Sequence, residues 1–476
     1  MRHGRRPGDS FIHLIGSRPF GLRKSLGVAG LYATGYGNVG SSIYYALGVV
    51  AIAAAGATPV ALAVAGIFFV FVALDYAEGS AMFPEAGGSA SFARHAFGDR
   101  AGFLSGWALM LSYVVTISIS AFTIPPYLGH FWAPLKENAA VGTVTSMGIV
   151  GFLALVNILG VRETSWLNIG AAALDLLTQA ILIIAGMVLL FSPTILIERI
   201  TGAWPEPQNL LFGIALAALA YTGVETISQM AEETRRASVR VPRALVMMIF
   251  TVLLVFGGIS IVAFSAMTPE ELATKWATDP VAGIAFNLPL AWLQDVMKPM
   301  VAVLAASILL IATNAGIIGV SRLAFSLGTN KQLPPTFSRV HKKFQTPYLS
   351  ITTFAAIAML LLLPGFFSPG VFTDMGALYT FGSLLSFSFA HAAILALRIK
   401  EPQRPRSFKI KPNLSLFGRE IPISTALGLM VDLGILIVII YFQSYSRWVG
   451  FGWLALGLVL YTLYQRRLRR KDQPPR

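Results

Sequence analysis

The sequence predicts an all-α polytopic membrane protein with twelve transmembrane helices, the first and sixth of them broken at membrane depth. Three observations carry that prediction. Of 476 residues, 55% are hydrophobic and only 12% charged, with a mean hydropathy of +0.69; a soluble domain is about 25% charged. Twelve apolar segments are each long enough to cross a hydrocarbon core of ~30 Å. The basic residues fall almost entirely on one side once those segments are counted as spans.

In chain order the segments are 25–55, 58–82, 101–130, 141–160, 166–192, 208–231, 242–267, 299–328, 347–364, 371–398, 423–443 and 446–464. The first holds Gly-Tyr-Gly-Asn-Val-Gly-Ser-Ser-Ile at 35–43, with apolar sequence on both sides. Unwound backbone survives in a bilayer only where protein or a water-filled cavity covers it, because an unpaired N–H or C=O is costly in lipid. Three glycines, an asparagine and two serines at that depth point to a binding site, since secondary transporters place substrates at broken helices. The second segment carries Asp75 and Glu78 one turn apart, on a shared face. The third and fourth rest on length and hydropathy alone, and the fifth carries Asp175. In the sixth, Leu219-Ala220-Tyr221-Thr222-Gly223-Val224-Glu225 forms a second break: Gly223 loosens the helix and Glu225 is too costly to face lipid. Breaks in the first and sixth spans have the offset of a five-plus-five inverted repeat, with the site between equivalent broken helices. The eighth segment carries Ser307 and Thr313, and the eleventh carries Asp432. The tenth is the least regular, interrupted by Asp374 and His391.

Net charge is +14, and its placement speaks to topology. With both ends on one side, the termini and even-numbered turns hold 31 of the 36 Lys and Arg residues; only Lys136, Arg199, Lys275, Lys298 and Arg447 lie opposite. The positive-inside rule then places both termini in the cytoplasm. The basic tails (Arg2, Arg5, Arg6; Arg466, Arg467, Arg469, Arg470, Lys471) are expected to hold topology and touch anionic headgroups, not nucleic acid. The first span is too long for a cleavable signal peptide and lacks a cleavage site. With no cysteine there is no disulfide or thiolate metal site, and the six histidines form no metal-spaced cluster. The glycines at 35, 37 and 40 lack the βαβ surroundings of a dinucleotide loop.

One membrane domain is expected. It comprises a basic tail at 1–24, a ten-helix core at 25–398 with repeats near 25–192 and 208–398, and a cytoplasmic loop at 399–422. Two peripheral helices at 423–464 and a basic tail at 465–476 follow. The outer loop 268–298, with Trp276 and Trp292, is either a lid or an interfacial segment anchored by those tryptophans.

Four stretches resemble the amino acid–polyamine–organocation permeases: GYGNVGSSIYY at the first break, YAEGSAMFPEAGGSASFARHAFG at 76–98, AYTGVETISQMAEETRRASVRVPRA from 220, and LPPTFSRVHKKFQTPY ending at 348. They occur in the family's order and cover most of residues 25–400. The resemblance implies a leucine-transporter-like fold, ten core helices in two inverted repeats plus two peripheral ones, and alternating-access transport of a small amino acid or amine. It implies that backbone amides of Val39, Gly40, Ser41 and Ser42 hold a substrate carboxylate, in keeping with the positive ends of half-helices. Carbonyls of Leu219, Ala220 and Thr222 would receive the amine, with Tyr221 and Glu225 in or just beyond that break. Three departures, Asn38 for an aliphatic residue, Ser42 for a glycine and Tyr44 for a phenylalanine, imply a smaller or more polar pocket and leave the cargo open.

The fifth-span position of Asp175 often carries a lysine in such permeases, its ammonium standing in for sodium between helices 1 and 8. Asp175 reverses the sign. It either helps bind Na⁺, with carbonyls of the first span and the hydroxyls of Ser307 and Thr313, or loads and releases a proton, or makes a structural hydrogen bond to a neighbouring helix. Asp75 and Glu78, expected within reach of water, either brace the inner loop or form a gating pair with an arginine or lysine. Glu225 either accepts from free amides of its break or meets a substrate amine or a proton. Asp432 and His391 are expected to make satisfied interhelical contacts. The expected function is therefore a secondary active transporter of the cytoplasmic membrane, coupled to H⁺ or Na⁺, with a small-molecule substrate and no cofactor or resident metal. No nucleophile–base constellation suggests an enzyme. The alternatives are a polyamine, nucleobase or K⁺ as cargo, or a non-transporting sensor or channel.

Overall fold

The computed structural model describes residues 26–160, 165–368, 370–416 and 418–471. The tail at 1–24, with Arg2, Arg5 and Arg6, lies outside them, as do residues 472–476. Eleven runs of helix are long and apolar enough to cross a membrane. The first, Val28–Met82, contains 55 residues. At ~1.5 Å per residue it exceeds twice the ~30 Å hydrocarbon thickness, and the chain turns within it at Ala55, where φ is 43°. The first two expected segments are thus joined in one run, and each of the other ten has its own.

The centre of the bundle is the Asp99–Leu128 helix, whose most apolar stretch is 94% buried, against 17% for the last run, Ser444–Arg469. The last helix is therefore the least covered of the eleven runs. The Ala291–Thr329 helix begins eight residues before the expected segment and takes in part of the outer loop, including Trp292. Trp292 is exposed, whereas Trp276 is buried, so only Trp292 is placed as an interfacial anchor would be.

The two interruptions differ from each other. The first span runs as α-helix over Val28–Val39, tightens to a 3₁₀ turn at Gly40–Ser42, and resumes as α-helix over Ile43–Ala54. Residues 35–43 are therefore not unwound, as the glycine content had suggested; the backbone stays helical through Gly40 and Ser42. Their glycines serve close packing instead. A Cβ on Gly35 would stand 2.3 Å from Ile227, and one on Gly40 2.6 Å from the Tyr36 ring. The sixth span breaks outright. Helix Pro207–Ala217 passes through a 3₁₀ turn at Ala218–Tyr221. Thr222 is then extended, Gly223 has φ 103°, and helix restarts over Glu225–Gln229.

Loops close over both ends of the bundle. At the end poor in basic residues, Lys136 donates to both carboxylate oxygens of Asp279 at 2.8 and 2.7 Å, with its ammonium 4.5 Å above the Trp276 ring. Burial pushes the Asp279 carboxyl up, and Lys136 opposes that push. The same loop lies on the first span: a Cβ on Gly48 would meet the Ala277 carbonyl oxygen at 1.9 Å. At the basic end, the loop 399–422 contains an antiparallel pair of strands, Asn413–Leu416 and Arg419–Pro422, which the helical pattern did not anticipate.

Candidate functional site

The two interruptions meet. The Asn38 amide donates to Thr226 Oγ1 at 2.7 Å and reaches the Gly223 carbonyl at 3.5 Å. Glycine is required there twice over: φ 103° is a left-handed conformation that a side chain rarely adopts, and an added Cβ would stand 2.8 Å from Asn38 Nδ2. Glu225 closes the break from the other side, accepting the Gly223 N–H at 3.0 Å. Asn38 and Glu225 are each about 1% exposed.

Around this junction lie Asn38 Oδ1 and the hydroxyls of Tyr76, Tyr113 and Tyr379, buried and without a hydrogen bond of good geometry, although Ser89 and Ser386 face Tyr76, Thr226 faces Tyr113, and Thr116 and Thr222 face Tyr379. All three tyrosines lie close enough to Glu225 for its charge to act on them. Orphaned polar atoms are costly in a low-dielectric interior. Grouped beside a carboxylate at a helix break, they make a buried cluster of donors and acceptors.

The other expected site residues distribute around it. Val39 is fully buried, and the Gly40 N–H is spent on the Tyr36 carbonyl within the helix. Ser41 donates to the Asn38 carbonyl at 2.8 Å, and the Ser42 hydroxyl shares a 3.0 Å bond with Tyr45. Because the turn stays helical, these amides are not displayed at a half-helix start as the resemblance implied. In the sixth span the Leu219 carbonyl already accepts from the N–H and hydroxyl of Thr222, and Ala220 is buried beside it. Tyr221 turns away, donating to the Leu62 carbonyl at 2.8 Å and packing on Phe69 and Phe256.

Asp175 lies one step along the first span from this junction. It is 1% exposed and accepts from two hydroxyls of that span, Tyr36 at 2.8 Å and Tyr44 at 2.5 Å. Tyr127 in turn donates to the Tyr44 carbonyl. The expected trio with Ser307 and Thr313 is not assembled. Ser307 is exposed and donates to Val303; Thr313 is buried but donates to Leu309.

Asp75 and Glu78 are both fully buried, against the expectation that water reaches them. Glu78 accepts from Arg398 through Nε and Nη2, each at 2.6 Å, and from the Ile410 N–H at 2.9 Å, with Arg406 Nε at 3.1 Å. It fastens the loop 399–422 to the second span. Asp75 pairs with His391 and Thr425.

The sequence did not single out Tyr36, Tyr113, Tyr379 or Thr226. A signal existed for Tyr36: with Tyr44 it stands at i, i+8, two turns apart on one helix face. Tyr113 and Tyr379 are isolated tyrosines within apolar stretches and gave none.

The profile of a family described as amino acid permease matches residues 26–463. A branched-chain amino acid permease of Bacillus subtilis is 24% identical over 95% of this chain and 95% of its own length. A glutamate/serine transporter of the same organism is 25% identical over 90% of this chain and 84% of its own. A methylthioribose transporter, also of Bacillus subtilis, is 24% identical over 95% of each.

Proposed function

The chain belongs to the amino acid permease family, and we propose that it moves an amino acid or related small amine across the cytoplasmic membrane by alternating access, driven by protons. It is an integral multi-pass membrane protein whose family and relatives point to a transporter rather than an enzyme. The observation that carries the reading is the junction of the two interrupted spans, where Asn38 bridges to Gly223 and Thr226 beside Glu225 and a group of buried tyrosine hydroxyls. In this reading the substrate lies against the turn at residues 38–42 and the break at 219–225. A carboxylate group meets donors from Asn38, Ser41 and the amides of the 3₁₀ turn once that turn opens. The ammonium group meets Glu225 and the carbonyls of Leu219, Ala220 and Thr222.

Asp175 is the proton site in this reading. A carboxylate held by two hydroxyl donors can exchange a proton through them, and the loss of one charge on loading releases its hold on the first span. The outward-facing Ser307 weighs against a sodium site of the expected composition. Both termini face the cytoplasm, on the asymmetry of 31 basic residues against 5.

Uptake by proteoliposomes under imposed pH or sodium gradients tests this. The panel includes branched-chain amino acids, glutamate, serine and a thiosugar, since the relatives' names span those cargoes. Accumulation driven by an inward proton gradient is the expected result. No uptake of any panel member under either gradient sinks the transport reading; uptake driven by sodium alone sinks the proton assignment.

A further inference from the structure

We propose that Asp75, His391 and Asp432 form a buried proton-binding site, separate from Asp175 and Glu225, at the seam of the second, tenth and eleventh spans. His391 is completely buried between the two carboxylates. Its Nδ1 lies 2.5 Å from Asp75 Oδ2, and its Nε2 3.3 Å from Asp432 Oδ2. Thr425, on the eleventh span, donates to the other Asp75 oxygen at 2.5 Å. Space for the ring is made by Gly428, one turn before Asp432: a Cβ there would stand 2.4 Å from His391 Cε1.

Counting charge decides what this cluster takes up. With a carboxylate opposite each ring nitrogen, an imidazolium donates to Asp75 through Nδ1 and presents Nε2 to Asp432 at the longer distance of 3.3 Å. Imidazolium and two carboxylates still sum to one negative charge, fully buried in a bilayer protein, where an uncompensated charge is strongly disfavoured. Glu78, one turn along the second span, is a further carboxylate acting on Asp75. Arg398 and Arg406 are engaged with Glu78, and among the described residues His391 is the one cation paired with Asp75 and Asp432. Tyr76, next to Asp75 in sequence, packs on Phe92 and Phe387. The seventh-span stretch 244–266 contains no charged or titratable residue. One more proton makes the cluster neutral.

The structure also indicates where that proton sits. Asp75 has its hydrogen bonds, from His391 and Thr425. Asp432 Oδ2 and His391 Nε2 face each other at 3.3 Å without a hydrogen bond of good geometry; Asp432 is the less satisfied of the two carboxylates, and in this proposal the exchangeable proton is placed there. Asp432 also lines a cavity of about 20 Å³ that it shares with Ala218 and Tyr221, in the turn leading into the sixth-span break. That volume is room for one water, which gives the site a connection to the substrate-side helix.

Infrared titration of the full-length protein in liposomes, without substrate, tests the assignment independently of the transport reading. The wild type is expected to show the carbonyl stretch of a protonated carboxyl at neutral pH. Asp432→Asn removes that component, whereas Glu225→Gln and Asp175→Asn leave it in place. His391→Gln, a second arm, takes away the neighbouring positive charge, and the Asp432 component then persists to more alkaline pH. A wild type lacking any such band at neutral pH overturns the site without recourse to a variant. So does an Asp432→Asn spectrum that retains the whole band, or a His391→Gln titration that superimposes on the wild type.

Discussion

Each residue that departs from the pattern of the resembling permeases has a polar partner. Asn38 ties the first span to the sixth, Ser42 bonds Tyr45, and Tyr44 donates to Asp175, itself a reversal of sign. The sequence displayed the departures but could not pair them, because Tyr44 and Asp175 are 131 residues apart and only packing brings them together. Asp175→Asn keeps a hydrogen-bonding group but fixes its charge. Proton-driven accumulation in proteoliposomes should vanish while substrate exchange at equal pH continues; unchanged accumulation would remove Asp175 from coupling. Tyr44→Phe deletes one donor to the same carboxylate, a bond to a charged group worth about 1.5–3 kcal/mol, and thermal unfolding in detergent should register that loss. Gly223→Ala confronts φ 103° and Asn38 together. The backbone strain alone is roughly 1–3 kcal/mol, so the variant should unfold at lower temperature and lose uptake. Wild-type uptake would mean that the break need not hold this shape.

Among elements, apolar length was enough to find the spans, since a helix must keep ~20 apolar residues in the bilayer whatever it packs against. What the pattern could not tell was how glycine would be used. In the sixth span Gly223 supplies a left-handed residue and breaks the helix; in the first, Gly35 and Gly40 admit neighbouring side chains and the helix continues. Composition is the same for both uses, and only the facing surface distinguishes them. The short helix Ser89–Phe97 was likewise hidden in what read as a loop. It is pinned by Glu85, which accepts from Ser91, from Arg94 at 3.0 Å and from His95 at 2.9 Å. The bond from His95, joined by Ser91 and the charge of Arg94, holds the Glu85 carboxyl down at about 2, against the opposing push of burial. An unfolded glutamate titrates near ~4.3. The pin is therefore fully in force above that value and is lost as pH falls through about 2. Amide exchange in residues 89–98, corrected for its intrinsic pH dependence, should lose protection between pH 5 and pH 2 by roughly the window those two values set. Glu85→Gln should show low protection at every pH, and a wild type with no acid loss would exclude the pin.

At the scale of the whole molecule, the charge distribution and the closed ends belong to one argument. The end that holds most of the lysines and arginines is closed by Glu78 with Arg398 and Arg406; the other is closed by Lys136 with Asp279. In the proposed alternating-access cycle these are released one at a time, so which faces the cytoplasm decides which would meet substrate from outside. Charge bias predicts orientation because lysine and arginine in short loops resist translocation, and an imbalance of 31 to 5 is large for loops of this length. The absence of cysteine from the sequence makes the point directly measurable, since any introduced thiol is the sole target. Trp132 is exposed in the loop beside Lys136, and Lys342 is exposed in the loop after the eighth span. In intact cells a membrane-impermeant maleimide should label Trp132→Cys, whereas Lys342→Cys should react only after permeabilisation. The reverse pattern would invert the protein and assign Lys136–Asp279 to the cytoplasmic gate. Labelling of both in intact cells would show that one loop does not lie where the count of spans puts it.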